Sequence, residues 1–204
     1  MTVHILDYGL GNLRSLSWAI ERIGCDYIIT NDPDQLNLAK KIIIPGVGSF
    51  GVAMANLKSL NLVNQLQDKA NDSNISIFGI CLGMQILFET SAESPGVNGL
   101  GILKGHFEPL EKISPYTTHM GWNNLTCNKS EEFKYLDNIP SNADFYFVHS
   151  FGLMKNNIKN SMETHIDSQS FCSYIEYDNI TCAQFHPEKS HTNGLLLLKN
   201  WINN

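Results

Sequence analysis

The sequence predicts an α/β fold: a single domain with one open, mostly parallel sheet flanked by helices, and an added antiparallel ribbon in the second half. Three observations carry this expectation. Short β-branched runs alternate with helix-like segments through Glu89, the pattern of strand–helix–strand units that build a parallel sheet. After Gly105 the texture changes to short alternating segments, which suit antiparallel strands. No repeat, low-complexity tract or linker interrupts the 204 residues, a length suited to one domain over residues 1–204.

Each element has its own signal. Val3 to Asp7 reads as a buried first strand, and the turn Tyr8-Gly9-Leu10-Gly11-Asn12 leads into a helix. There Leu13, Leu16, Ile20 and Ile23 recur at helical spacing, and Gly24 closes the helix. The Gly-x-Gly of that turn lacks the third glycine of a dinucleotide fingerprint, because Arg14 stands at its position. Tyr27 to Thr30 is a second strand, Asp32-Pro33 opens a short helix, and Lys41 to Ile44 is a third strand. Helices are expected over Val52 to Leu60 and Leu62 to Ala70, then a strand over Ile75 to Phe78 and a helix over Leu82 to Glu89. In the second half Phe145 to Val148, Phe171 to Ile175 and Ile180 to Phe185 read as strands, with a hairpin turn at Asp178-Asn179. A last helix runs from about Thr192 to Ile202.

Composition narrows the function classes. A net charge of −6 argues against a broad nucleic-acid surface, which needs a basic face. The five cysteines are odd in number, scattered and without a C-x-x-C pair, so neither a disulfide framework nor a zinc knuckle is expected. No grouping of His, Cys and carboxylates has metal-ligand spacing, and no Walker-type loop is present, so no metal, cofactor or ATP site of that kind is expected. No signal peptide or membrane-length apolar run is visible. The expectation is a cytoplasmic protein.

The chemistry begins at Gly79-Ile80-Cys81-Leu82-Gly83-Met84-Gln85. A thiol flanked by glycine at i−2 and i+2, between a strand and a helix, has the pattern of a G-x-S-x-G nucleophile elbow with Cys for Ser. The helix N-terminus behind it would favour thiolate over thiol. The second informative stretch is Gln184-Phe185-His186-Pro187-Glu188-Lys189-Ser190. In extended chain, residues two apart face one side, so Glu188 can orient His186 while its other ring nitrogen meets the nucleophile. Backbone N–H groups of Leu82 and of the Pro45-Gly46-Val47-Gly48 turn are candidate donors for a developing oxyanion. His119 and His149, each beside aromatic residues, read as structural rather than catalytic.

Together, Pro45-Gly46-Val47-Gly48, the Cys81 elbow and His186-Pro187-Glu188 resemble the class I (triad) glutamine amidotransferases. His119-Met120-Gly121-Trp122-Asn123 and Phe147-Val148-His149-Ser150 narrow the likeness to the glutaminase subunits of imidazole glycerol phosphate synthase, and the likeness runs over nearly the whole chain. The resemblance implies that Cys81 attacks the side-chain amide of L-glutamine, with His186 as acid and base and Glu188 orienting it. It implies an oxyanion hole at Val47 and Leu82, with the Val47 peptide reorienting when a partner signals. It implies glutamine contacts at Gly48, Gln85 and Glu93. The implied partner is a separate cyclase subunit, a (β/α)₈ barrel that receives the ammonia, docking on or near Asn12, Met120, Trp122, Tyr146 and Lys189. Two other outcomes share these motifs: a glutaminase subunit feeding a surface-sugar amidotransferase, and a free-standing thiol γ-glutamyl hydrolase.

Overall fold

Ile42, Ile43 and Ile44 in one run leave no polar face, so that strand must be covered on both sides. A computed structural model, which describes residues 2–112, 117–127, 132–154 and 158–204, has this arrangement. The first half contains strands β1 (Val3–Leu6), β2 (Tyr27–Thr30), β3 (Lys41–Ile44) and β4 (Ser76–Ile80). Between and after them lie helices α1 (Leu13–Arg22), α2 (Pro33–Leu38), α3 (Phe50–Ser59), α4 (Val63–Ala70) and α5 (Leu82–Leu87). The second half adds β5 (Thr90–Ser91), β6 (His106–Pro109), β7 (His119–Asn124), β8 (Asp144–His149), β9 (Phe151–Gly152), β10 (Ser161–Ile166), β11 (Gln169–Tyr177), β12 (Ile180–Ala183) and α6 (His191–Asn203).

Among the described residues the main sheet has seven strands in the order β10-β11-β12-β4-β3-β1-β2. The pairs β12–β4, β4–β3, β3–β1 and β1–β2 are parallel, whereas β10–β11 and β11–β12 are antiparallel. The expected antiparallel ribbon is therefore β10–β11 at one edge, turning into β12 at Asp178, a residue with φ 51°. Strand alternation splits the core. Ile42, Ile44 and Ile77 pack with Leu36, Leu57 and Leu66 from α2, α3 and α4 on one face. Ile43, Phe78 and Ile80 pack with Leu16 and Ile20 of α1 and Leu198 and Trp201 of α6 on the other. Each fully buried Ile or Phe contributes roughly 1.5–3 kcal/mol, so the central strands anchor both layers. Lys41 joins α6 to the sheet: its Nζ donates to Trp201 O at 2.7 Å and lies over the Trp201 ring.

Several caps follow the sequence signals. Asn12 Oδ1 accepts from Ser15 N at the start of α1, and Asp32 Oδ1 accepts from Asp34 N at the start of α2. Other expectations shift. The helix after the elbow stops at Leu87 rather than Glu89, because the following loop takes its last carbonyls: Leu100 N donates to Ile86 O and Ile102 N to Leu87 O. Residues 119–124 and 161–166, not read as strands from sequence, extend because they have partners. Strand β7 pairs with β8 in a second, separate ribbon, and β10 pairs with β11.

Candidate active site

The carboxyl ends of β3, β4 and β12 lie side by side, and the chemistry-bearing residues follow them. The β4–β12 register sets Ile80 opposite Ala183, so the next residues, Cys81 and Gln184, become neighbours. Cys81 N donates to Ala183 O at 2.7 Å, which ties the elbow to the adjacent strand. Cys81 itself has φ 52° and ψ −108°, a backbone region that L-residues rarely occupy and that stores strain. The glycines on either side make this turn possible by close packing. A Cβ on Gly83 would sit 1.8 Å from Ile44 O, and one on Gly79 would sit 2.7 Å from Gly83 O. The Pro45-Gly46 turn also lies against the elbow, since a Cβ on Gly46 would be 2.6 Å from Leu82 Cβ. Tyr8 OH donates to Pro45 O at 2.6 Å and holds that turn from below. Gly48, at φ +121°, takes the chain from this turn toward α3.

His186 and Glu188 do meet, by a different local geometry from strand alternation. His186 is extended (φ −104°, ψ 97°), and a 3-10 turn over Pro187–Lys189 follows at once. Pro187 favours that turn because its φ is preset. The turn brings Glu188 Oε1 within 2.8 Å of His186 Nδ1, with both side chains almost wholly buried. The His186 backbone is clamped as well: its N–H donates to Tyr146 O at 2.8 Å, and its carbonyl accepts from Ser190 Oγ at 2.6 Å. Burial alone would lower the His186 pKa. The charge of the nearby Cys81 sulfur and the hydrogen-bonded Glu188 carboxylate outweigh burial and push it up to about 10. His186 Nε2 and Glu188 Oε2 are buried and make no formed hydrogen bond. The arrangement is a cysteine sulfur beside an imidazole that a carboxylate orients. Because α5 has only six residues, the imidazolium rather than a long helix dipole is the main positive charge at the sulfur.

A cavity of about 280 Å³ opens over Cys81, and Val47, Gly48, Leu82, Gln85 and Glu93 are all on its wall. That volume lies at the small end for ligand sites and suits an amino acid rather than a peptide. Leu82 is the first residue of α5, so its N–H has no partner within the helix, and the residue lines the cavity. Glu93 Oε2 accepts from Phe50 N at 2.7 Å at the start of α3. The opposite wall comes from residues that sequence reasoning left out: Thr118, Val148, Ser150 and Phe151, together with His149, which was read as structural. The Phe147-Val148-His149-Ser150 motif carries a family likeness but no chemical signal for a place at the site, which its residues reach through the β7–β8 ribbon. Burial pushes the His149 pKa down to about 3 and also lowers that of His119, so both rings are neutral at physiological pH. Gln184 was missed too. It is fully buried, and its Nε2 donates to Cys81 Sγ at 3.6 Å.

Of the expected docking residues, Met120 and Trp122 lie on β7, Tyr146 on β8 and Lys189 against Tyr146, whereas Asn12 caps α1. Trp122 and Tyr146 are opposed in the β7–β8 register, and the Lys189 ammonium lies over the Tyr146 ring. Met120 is 70% exposed and Trp122 47%. Trp122 stacks on His191 with ring centroids 4.9 Å apart. Among the described residues no group of three or more His, Cys, Asp or Glu could hold a metal ion, and no helix is long and apolar enough to cross a membrane.

The family model for class-I glutamine amidotransferases matches residues 4–203. The chain belongs to that family. This amidotransferase is 41% identical to imidazole glycerol phosphate synthase subunit HisH 2 of Methanococcus maripaludis, over 98% of each chain. It is also 41% identical to the HisH subunit of Methanocaldococcus jannaschii, again over 98% of each. The Aquifex aeolicus HisH subunit is 40% identical over 98% of this chain and 96% of its own. Solved structures share the fold at lower identity. A chain of PurLQS from Thermotoga maritima superposes with a TM-score of 0.74 at 19% identity, covering 99% of this amidotransferase and 97% of that chain. A glutamine amidotransferase crystal structure gives 0.72 at 14% identity, with 98% and 97% covered.

Proposed function

We infer that this chain is the glutaminase subunit of imidazole glycerol phosphate synthase, hydrolysing L-glutamine to glutamate and ammonia for a cyclase partner in histidine biosynthesis. The observation that carries the reading is Cys81, held at φ 52° on the floor of an amino-acid-sized cavity beside the His186–Glu188 pair. The full-length similarity to HisH subunits supports the same pathway. The amidotransferase domain is taken to span residues 1–204.

The geometry supports a thioester mechanism. The Cys81 thiolate attacks the glutamine Cδ and forms a C–S bond, and the amide oxygen becomes an oxyanion. The Leu82 N–H, and the Val47 N–H once its peptide points inward, receive that charge, and each such donor lowers the barrier by roughly 3–4 kcal/mol. When the tetrahedral species collapses, the C–N bond breaks and imidazolium His186 gives its proton to the departing nitrogen, which leaves as ammonia. Neutral His186 then takes a proton from water as the water attacks the thioester. The C–S bond breaks, glutamate forms, and the Cys81–His186 ion pair is restored. Glu188 holds the imidazole in one orientation throughout, through its contact with Nδ1. Gly48, Gln85 and Glu93 hold the amino-acid end of the substrate, Glu93 taking the ammonium group.

Ammonia released at neutral pH is protonated and lost unless it is captured, so the acceptor enzyme docks over the site. The partner is a (β/α)₈ barrel seated on the rim formed by Asn12, Met120, Trp122, Tyr146 and Lys189, and both subunits work in the cytoplasm. Exposed Met and Trp side chains beside a cation are suitable anchors for such an interface.

The test is glutamine hydrolysis by the purified chain, alone and with a barrel cyclase. The expected result is low turnover alone, a large increase when the cyclase holds its nucleotide substrate, and no turnover with Cys81→Ser. High partner-independent turnover would instead indicate a free-standing thiol hydrolase. Ammonia transfer only to a sugar-modifying enzyme would move the chain to another pathway.

A further inference from the structure

We propose that Gln184 is a positioning residue for this reaction, fixing the Cys81 sulfur as a thiolate acceptor at the end of a hydrogen-bonded chain rooted in the β7–β8 ribbon. The proposal rests on the reading of Cys81 as the nucleophile.

The argument is one of polarity. A side-chain amide can present either its oxygen or its nitrogen to a neighbour, and only the surrounding network decides which. Here the network has one group that cannot reverse, the backbone carbonyl of Phe151. It faces two contacts, His149 Nδ1 at 2.9 Å and Gln85 Nε2 at 3.4 Å. As a carbonyl it only accepts, so both must donate. Gln85 Nε2 carries a second hydrogen, which goes to Gln184 Oε1 at 3.3 Å. Gln184 Oε1 is then the acceptor of its pair, and the Gln184 N–H₂ must face Cys81 Sγ, 3.6 Å away. The other branch agrees. With Nδ1 as donor, neutral His149 presents Nε2 as acceptor to His119 Nδ1 at 3.2 Å. His119 Nε2 then accepts from Asn123 Nδ2 at 3.4 Å. Every member has one consistent direction.

The consequence for chemistry is specific. Gln184 is wholly buried, so its amide must find its partners within the protein. A donor that always points at sulfur stabilises thiolate over thiol, and it opposes the Val148 carbonyl, 3.8 Å from the same sulfur, to which only a thiol could donate. The Gln85–Phe151 and Gln85–Gln184 contacts sit at the long end for amide bonds. They act by setting orientation rather than by strength. The register that places Ala183 opposite Ile80 is what makes Gln184 the neighbour of Cys81.

The experiment measures alkylation of Cys81 by iodoacetamide as a function of pH in the full chain, followed on the Cys81 peptide by mass spectrometry. It is paired with steady-state glutaminase kinetics in the cyclase complex. Gln184→Met removes the donor at similar volume, and Gln184→Glu keeps the shape but places an acceptor at the sulfur. Loss of a hydrogen bond to a charged group predicts a kcat lowered about ten- to a hundredfold with little change in KM, and an alkylation midpoint moved up by about one pH unit or more. A midpoint unmoved in whichever variant folds would overturn the proposal, even if kcat fell, because a purely structural residue gives that result. Failure of both variants to fold would also overturn it. A wild-type Cys81 that resists alkylation, with Cys81→Ser fully active, would instead overturn the nucleophile reading.

Discussion

The Glu93 carboxylate and the Phe50 N–H, 43 residues apart in sequence, form a 2.7 Å hydrogen bond. Ser49, the residue before α3, makes no side-chain cap, and Ser94 Oγ takes the next N–H, that of Gly51, at 2.9 Å. The helix that follows the Val47-Gly48 turn is therefore capped from a distant loop, by a residue that also lines the cavity. Glu93→Ala is expected to cost about 1 kcal/mol of stability, the usual value of a lost cap. It should also raise KM for glutamine roughly ten- to a hundredfold through a lost charged contact. Glu93→Gln keeps an acceptor for Phe50, so its urea midpoint should stay near wild type while KM still rises.

Strain at Cys81 gives a second expectation. A side chain at φ 52°, ψ −108° is penalised, whereas glycine accepts that conformation. Cys81→Gly should unfold at higher denaturant than Cys81→Ala, by about 1 kcal/mol. Both should lack glutaminase activity. Equal stability would mean that the turn relaxes once sulfur is removed.

Gly83 tests the close approach of the elbow to β3. Since a Cβ would lie 1.8 Å from Ile44 O, both backbones must move to admit it. Gly83→Ala should lose several kcal/mol, in the range of severe core overpacking, roughly 3 kcal/mol or more. Thermal unfolding of purified protein reads this directly.

The buried histidines predict pH effects of opposite sign. His186 is raised to about 10, so its contribution to stability is complete below its unfolded pKa, near 6.5, and is lost as pH rises toward about 10. The alkaline limb of kcat/KM should fall in that upper region, and Glu188→Gln should move it to lower pH. His149 is lowered to about 3 by burial, with His119 and His186 as titrating neighbours. Its contribution is present above about pH 6.5 and is lost as pH falls toward 3. Unfolding free energies over a pH series should drop on the acid side by up to roughly 1.4 kcal/mol per pH unit, and His149→Phe should flatten that slope.

The rim predicts a binding effect. Trp122→Ala should weaken cyclase association by about 2 kcal/mol, near thirtyfold in Kd. Its thermal unfolding should change little, because the ring is half exposed. Titration calorimetry with the cyclase partner would measure it.

Local chemistry made much of this legible in the chain. Asn12 and Asp32 announce helix starts, the isoleucine run of β3 announces burial on both faces, and glycines around Cys81 announce a tight turn. These signals work because each acts within a few residues. The strands at residues 119–124 and 161–166 carry no comparable signal, since their extension comes from pairing with chain far away in sequence. The His186–Glu188 contact was expected from spacing, but the 3-10 turn that makes it depends on Pro187 and on the clamp from Tyr146 and Ser190.

The amino-acid order by itself therefore determined the α/β class, the tight turn at Cys81 and the pairing of His186 with Glu188, because those are matters of short-range sterics and residue chemistry. Only the tertiary structure decided that Glu93 caps α3, that the β7–β8 ribbon walls the cavity, and that Gln184 faces the sulfur. Each of these depends on strand register and on hydrogen-bond direction, which are set between segments far apart along the chain.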